Sequence, residues 1–91
     1  MCLFRKRYSK AIDFFVLSLE MYKQELGESS HEVMSNYSLL GYTYLQVNEF
    51  KNAYQNYHNA FLISKKIYGE FDPKTANSLL SAANAKAQTE K

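Results

Sequence analysis

The sequence predicts an all-α fold of four helices, paired as antiparallel helical hairpins, and three observations carry that reading. One proline and three glycines interrupt 91 residues, whereas a sandwich or barrel of this length needs turn residues every ~8–12 positions. Small and apolar side chains recur at helical spacing, most clearly Tyr37, Leu40, Gly41 and Tyr44 at i, i+3, i+4 and i+7. The chain also repeats itself. A shift of 42 residues lays Leu3 on Leu45, Tyr8 on Phe50, Ala11 on Ala53, Lys23 on Lys65 and Gly27-Glu28 on Gly69-Glu70.

Each helix follows from local signals. The first spans 8–27, with Tyr8, Ala11, Ile12, Phe15, Leu19, Tyr22 and Leu26 on one side and Gly27 as a left-handed terminator. A second start lies in Ser29-Ser30-His31-Glu32: Ser29 with Glu32 has capping-box spacing, and Ser30 is the alternative cap. That helix runs to about Val47, where Asn48 and Glu49 break the apolar pattern. Phe50, Ala53, Tyr57, Ala60, Phe61 and Tyr68 mark the third helix, ended by Gly69. Asp72-Pro73 opens the fourth, with Asp as N-cap and Pro at the first helical position, followed by Ala76, Leu79, Leu80 and Ala83 through residue 88. The 42-residue shift superposes the two helix starts, Ser30 on Asp72, so the repeating unit is a helical hairpin.

Composition narrows the function classes. The length suits a single domain, residues 1–91. Apolar residues at 46% and aromatics at 15% exceed what a disordered tail carries. A net charge of +2 is far from the positive field that phosphate-backbone binding requires, so nucleic acid is not the expected partner. The single cysteine, Cys2, forms no internal disulfide, and no signal peptide or ~20-residue apolar span is evident, which predicts a cytoplasmic protein with no membrane span. The triplet Asn36-Tyr37-Ser38 matches a glycosylation acceptor and is read as chance. Arg5-Lys6-Arg7-x2-Lys10 is read as a solvated terminus, at the low edge of what recruits anionic lipid unless Cys2 is acylated.

No catalytic, cofactor-binding or metal-ligating constellation is expected. His31 and His58 fall on different helices with no HExxH spacing, and Gly27, Gly41 and Gly69 are too scattered to cradle a phosphate. The chain is therefore expected not to be an enzyme.

Tyr37-x2-Leu40-Gly41-x2-Tyr44 followed by Ala53-x3-Tyr57-x2-Ala60 resembles the tetratricopeptide motif, with Tyr37 where the family often has Trp and Tyr57 where it often has Phe. The 42-residue period, longer than the usual ~34, and the Gly-Glu-x-Asp-Pro ending at 69–73 resemble the long repeats of kinesin light chains. The resemblance implies a right-handed solenoid of stacked hairpins: 8–27 as the second helix of a first repeat, 30–69 as a complete repeat, and 72–88 as the first helix of a third. The partner that should precede the first helix would be missing or reduced to residues 1–6. About three repeats make a self-sufficient solenoid, so a piece of a longer array is one reading of the chain.

The resemblance further implies a concave groove lined by the second and fourth helices, carrying Ser35, Ser38, Tyr42 and Leu45 on one and Asn77, Leu80, Asn84 and Ala87 on the other. This polar, nearly uncharged face suits the backbone of a peptide or protein partner, with Tyr42 as aromatic contact. Family members that clamp a C-terminal carboxylate use Lys and Arg where Ser38, Leu80 and Ser81 stand here, so such a clamp is not expected. The first helix carries a second apolar stripe, Phe14, Leu17 and Met21, to which the 42-residue shift assigns Asn56, Asn59 and Ile63. That stripe is expected to be an interface, by self-association or against neighbouring repeats. Two functions follow: a scaffold that binds a peptide or protein through its groove or ends, or a structural subunit of a larger assembly, with cytoskeletal and ciliary ones among the candidates, and no peptide ligand.

Overall fold

The computed structural model describes residues 2–90, with side chains described for residues 7–90. Among the described residues there are four helices and no strand: α1 (Cys2–Leu26), α2 (His31–Gln46), α3 (Phe50–Tyr68) and α4 (Pro73–Thr89). Contacts between helix ends show that consecutive helices run antiparallel. Lys23 near the end of α1 meets Tyr37 of α2, and Tyr68 at the end of α3 meets both His31 and Lys74, at the starts of α2 and α4.

The helix ends are where residue chemistry put them. Gly27 and Gly69 adopt φ of 89° and 96°, the left-handed region, and their N–H groups close the final turns onto the carbonyls of Lys23 and Lys65. Ser30, not Ser29, is the N-cap of α2, its Oγ accepting from Val33 N–H at 3.2 Å. Asp72 caps α4 by accepting from Lys74 N–H at 2.8 Å, with Pro73 at the first helical position. Between α2 and α3, Asn48 takes the left-handed conformation itself at φ 63°, as asparagine does more readily than most residues.

At its start α1 takes in residues 2–6, which continue the helix rather than forming a reduced partner for it. The side chains of Cys2, Arg5 and Lys6 lie outside those described, so the basic cluster is seen only at Arg7 and Lys10, both exposed.

Two small cores hold the helices. In the first, Leu19 of α1, Val33 and Leu40 of α2 and Ile63 of α3 are buried together, with Ile12, Phe15, Met34, Tyr37 and Tyr44 packed against them. In the second, Ala53 and Tyr57 of α3 meet Ala82 and Ala85 of α4, flanked by Tyr44, Leu45 and Tyr54. Tyr44 touches both clusters.

The expected core face of α4 is corrected. Ala76, Leu79, Leu80 and Ala83 are exposed, while Thr75, Ala82 and Ala85 are buried. The helix is turned because its tightest anchor is polar: Thr75 is fully buried and its hydroxyl donates to Gly69 O at 2.7 Å, with Ser64 O 3.3 Å away, tying the start of α4 to the end of α3. Small alanines then allow close approach to α3. On α1, Tyr22 and Leu26 are likewise exposed rather than core.

Candidate functional site

The 42-residue repeat reappears as a pattern of burial. Val33, Leu40 and Thr43 of α2 are buried, and so are their counterparts Thr75, Ala82 and Ala85 of α4. With those residues turned inward, both helices present the expected groove residues on another side. Tyr42 is 55% exposed, Ser35 and Ser38 are half-buried, and Leu45 is half-buried because it also packs against the second core. On α4, Asn77, Leu80, Asn84 and Ala87 are all exposed.

The residues forming this strip bear no charge. The Tyr57 phenol is pushed above the ordinary tyrosine value of 10.0 by burial, with a smaller electrostatic contribution from the Tyr42 phenol. Tyr57 itself belongs to the α2–α3 contact. There Gly41 leaves room for the Tyr57 ring: an added Cβ would lie 2.9 Å from its Cγ, Cδ1 and Cδ2.

The strip is a surface and not a cavity. Two open clefts lie elsewhere. One of about 390 Å³ is lined by Ser9 and Ile12 of α1 and by residues 47–49 of the turn. The other, of about 210 Å³, sits among Lys23, Tyr37, Asn59, Ile63 and Lys66, where α1, α2 and α3 converge. Lys23 is held protonated there, its pKa raised from 10.5 chiefly by hydrogen bonding to the Tyr37 side chain and lowered in part by burial, with its Nζ 5.4 Å from the Tyr37 ring centre. Among the described residues no three His, Cys, Asp or Glu side chains cluster as metal ligands.

Phe14, Leu17 and Met21 are 66%, 66% and 61% exposed, a continuous apolar stripe along α1. Asn36, the residue of the glycosylation triplet, is only 7% exposed within α2, out of reach of a modifying enzyme in the folded chain. Sequence patterning missed the buried polar set of Asn36, Ser64 and Thr75, since periodicity counts apolar residues. The capping arithmetic could have flagged Thr75, which follows Asp72 by three positions, where an N-terminal side chain reaches neighbouring backbone.

Comparison with protein-family models, curated proteins and solved structures finds no match to this chain. No helix among the described residues is long and apolar enough to cross a membrane.

Proposed function

We propose that the chain is a non-enzymatic protein-interaction module, a right-handed tetratricopeptide-like array that holds a peptide along α2 and α4. The observation that carries the reading is the strip itself: an exposed aromatic, Tyr42, among the uncharged polar groups of Ser35, Ser38, Asn77 and Asn84, with Leu80 as an exposed apolar contact. Such a surface supplies hydrogen bonds to a peptide backbone and one aromatic anchor, the class of residue that dominates interface energetics. Recurrence of burial at the 42-residue spacing supports the stacked-array reading. The long-repeat resemblance is the ground for a cytoplasmic setting, with the cytoskeleton or cilium as candidate contexts.

The test is selection of displayed peptides on the folded chain. Peptides so obtained are expected to bind Tyr42→Ala about 5- to 30-fold more weakly, equivalent to ~1–2 kcal/mol, with an unchanged thermal midpoint. Tyr44→Ala should instead lower the midpoint, because Tyr44 joins the two cores. Peptides that bind Tyr42→Ala as tightly as the parent, or that shift NMR resonances outside α2 and α4, would overturn the assignment. The exposure of Phe14, Leu17 and Met21 favours a second reading, a structural subunit with no peptide ligand, under which the selection yields no binder.

A further inference from the structure

The cleft of about 210 Å³ where α1, α2 and α3 converge combines apolar and cationic lining. Helix α3 contributes one stripe to it, Asn59, Ile63 and Lys66 at i, i+4 and i+7, with Leu62 alongside. Ile63 is buried in the core, whereas Asn59 is half-buried and Lys66 exposed. Lys23 of α1 and Tyr37 of α2 border the same space, with the Lys23 Nζ 5.4 Å from the Tyr37 ring centre. Glu28 of the α1–α2 turn also lines it, so two ammonium groups stand there against one carboxylate.

Hairpin stacking does not demand this polar set. Shifted by 42 residues, Asn59, Ile63 and Lys66 fall on Leu17, Met21 and Gln24, and Tyr37 falls on Leu79. The Asn59 amide, the Lys66 ammonium and the Tyr37 phenol are therefore particular to this cleft. Their capacity is weighted towards donation, since an ammonium carries three N–H donors and no acceptor, and a side-chain amide carries two donors. Lys23 directs one donor to the Tyr37 side chain, and a phenol oxygen that accepts from an ammonium keeps its own hydrogen to give.

We propose that this cleft receives the carboxylate of an acidic side chain presented by a partner protein, held by Lys23, Lys66, Asn59 and the Tyr37 hydroxyl, with the methylene stem against Leu62 and Ile63. Size argues for a side chain, because about 210 Å³ is below the ~300–1,000 Å³ of sites that enclose a small molecule or cofactor. Chemistry argues for a carboxylate. A phosphate turns oxygens in every direction, and beside Leu62 and Ile63 some would find no donor. A carboxylate confines its two oxygens to one end and leaves an apolar stem for that part of the lining. Glu28 opposes the incoming charge, which keeps the contact weak and sensitive to salt. In taking a protein as the partner the proposal rests on the interaction-module reading above, but it uses no residue of the strip that carries Tyr42.

The test is NMR titration of the isotope-labelled chain at low salt with a glutamate residue blocked as its N-acetyl, N-methylamide derivative, in parallel with the glutamine equivalent and with inorganic phosphate. The glutamate probe should give saturable shifts at the side-chain groups of Lys23, Asn59 and Lys66, and the glutamine probe should give none. Lys66→Gln, at an exposed position, should weaken binding several-fold with an unchanged thermal midpoint, and Glu28→Gln should tighten it several-fold. Tyr42→Ala should leave the titration as it is, so failure of the strip and failure of the cleft are separate results. The absence of a saturable shift in the cleft would overturn the proposal, as would glutamine binding as tight as glutamate. Shifts at exposed Lys51 and Lys74 equal to those at Lys23 and Lys66 would mean general attraction to lysines and overturn it likewise. Phosphate bound more tightly than the glutamate probe would assign the cleft to a phosphoryl group instead.

Discussion

Gly41 and Tyr57 set the separation of α2 and α3: the glycine has no Cβ, and the ring occupies the space where one would be, 2.9 Å from three of its carbons. Contacts that short are not relieved by rotating the far end of a flexible chain, because the atoms are at the base of a ring whose residue is itself buried.

Gly41→Ala is therefore expected to destabilise the fold, and the sign is informative. In an exposed helix interior the same change stabilises by roughly 0.5–1 kcal/mol, whereas overpacking costs about 1–3 kcal/mol. A lowered thermal midpoint supports the close contact. A raised one would show that the helices separate freely. Gly41→Leu, which forces a larger group into this seam, should unfold the hairpin, and Ala53→Phe should do so by forcing a ring into the core that Ala53 shares with Ala82 and Ala85 of α4.

Thr75→Val keeps shape and removes the hydroxyl that donates to Gly69 O. With the site fully buried, the carbonyls of Gly69 and Ser64 lose that partner, and a loss of about 1–3 kcal/mol is expected in chemical denaturation. Thr75→Ser, which retains the donor, should lose less. Equal losses would assign the effect to packing alone.

Ser64 presents the opposite case: its Oγ is buried with no hydrogen-bonding partner among the described residues. Ser64→Ala removes an uncompensated polar atom, so stability should hold or rise by about 0.5–1.5 kcal/mol. A clear fall in the denaturation midpoint would reveal a hydrogen bond to that hydroxyl.

Much of this architecture was legible in the sequence because it is written in residues with one dominant conformational role. Gly27, Gly69, Ser30 and Asp72-Pro73 fixed the helix ends, and Tyr37-x2-Leu40-Gly41 fixed the central contact. The facing of α4 was not legible. Its buried set is Thr75, Ala82 and Ala85, residues that weigh little on any hydrophobicity scale, while Leu79 and Leu80 drew the predicted stripe to the wrong side. The same weighting placed Tyr22 and Leu26 in the core, on a helix apolar on two sides. For the candidate strip the sequence supplied the register of Tyr42 and Leu80, but Leu45 is drawn against the second core by a packing that periodicity does not reveal.

Alkaline pH should expose the burial of the Tyr57 phenol. With its folded-state pKa raised, Tyr57 stays protonated after unfolded chains begin to ionise, so its contribution is intact below pH 10.0 and is lost as pH climbs through the folded value. Lys23, also raised, acts in the same direction from 10.5 upward. Tyr57→Phe keeps the ring against Gly41 and should flatten the decline in thermal midpoint above about pH 10 relative to the parent. Identical slopes would mean that the phenol ionises as freely in the folded chain as in the unfolded one.

Because each helix packs chiefly on the helix next to it in sequence, few distant segments must find one another before stabilising contacts form. Low contact order of this kind places folding in the microsecond-to-millisecond range, and nearest-neighbour coupling lets segments open separately instead of all at once. Amide protons of α3, clasped on both sides, should exchange with solvent most slowly, and those of α1 should exchange fastest. Because α1 rests chiefly on α2, the helix that opens most readily is also the one whose protection would rise most if its exposed side were covered.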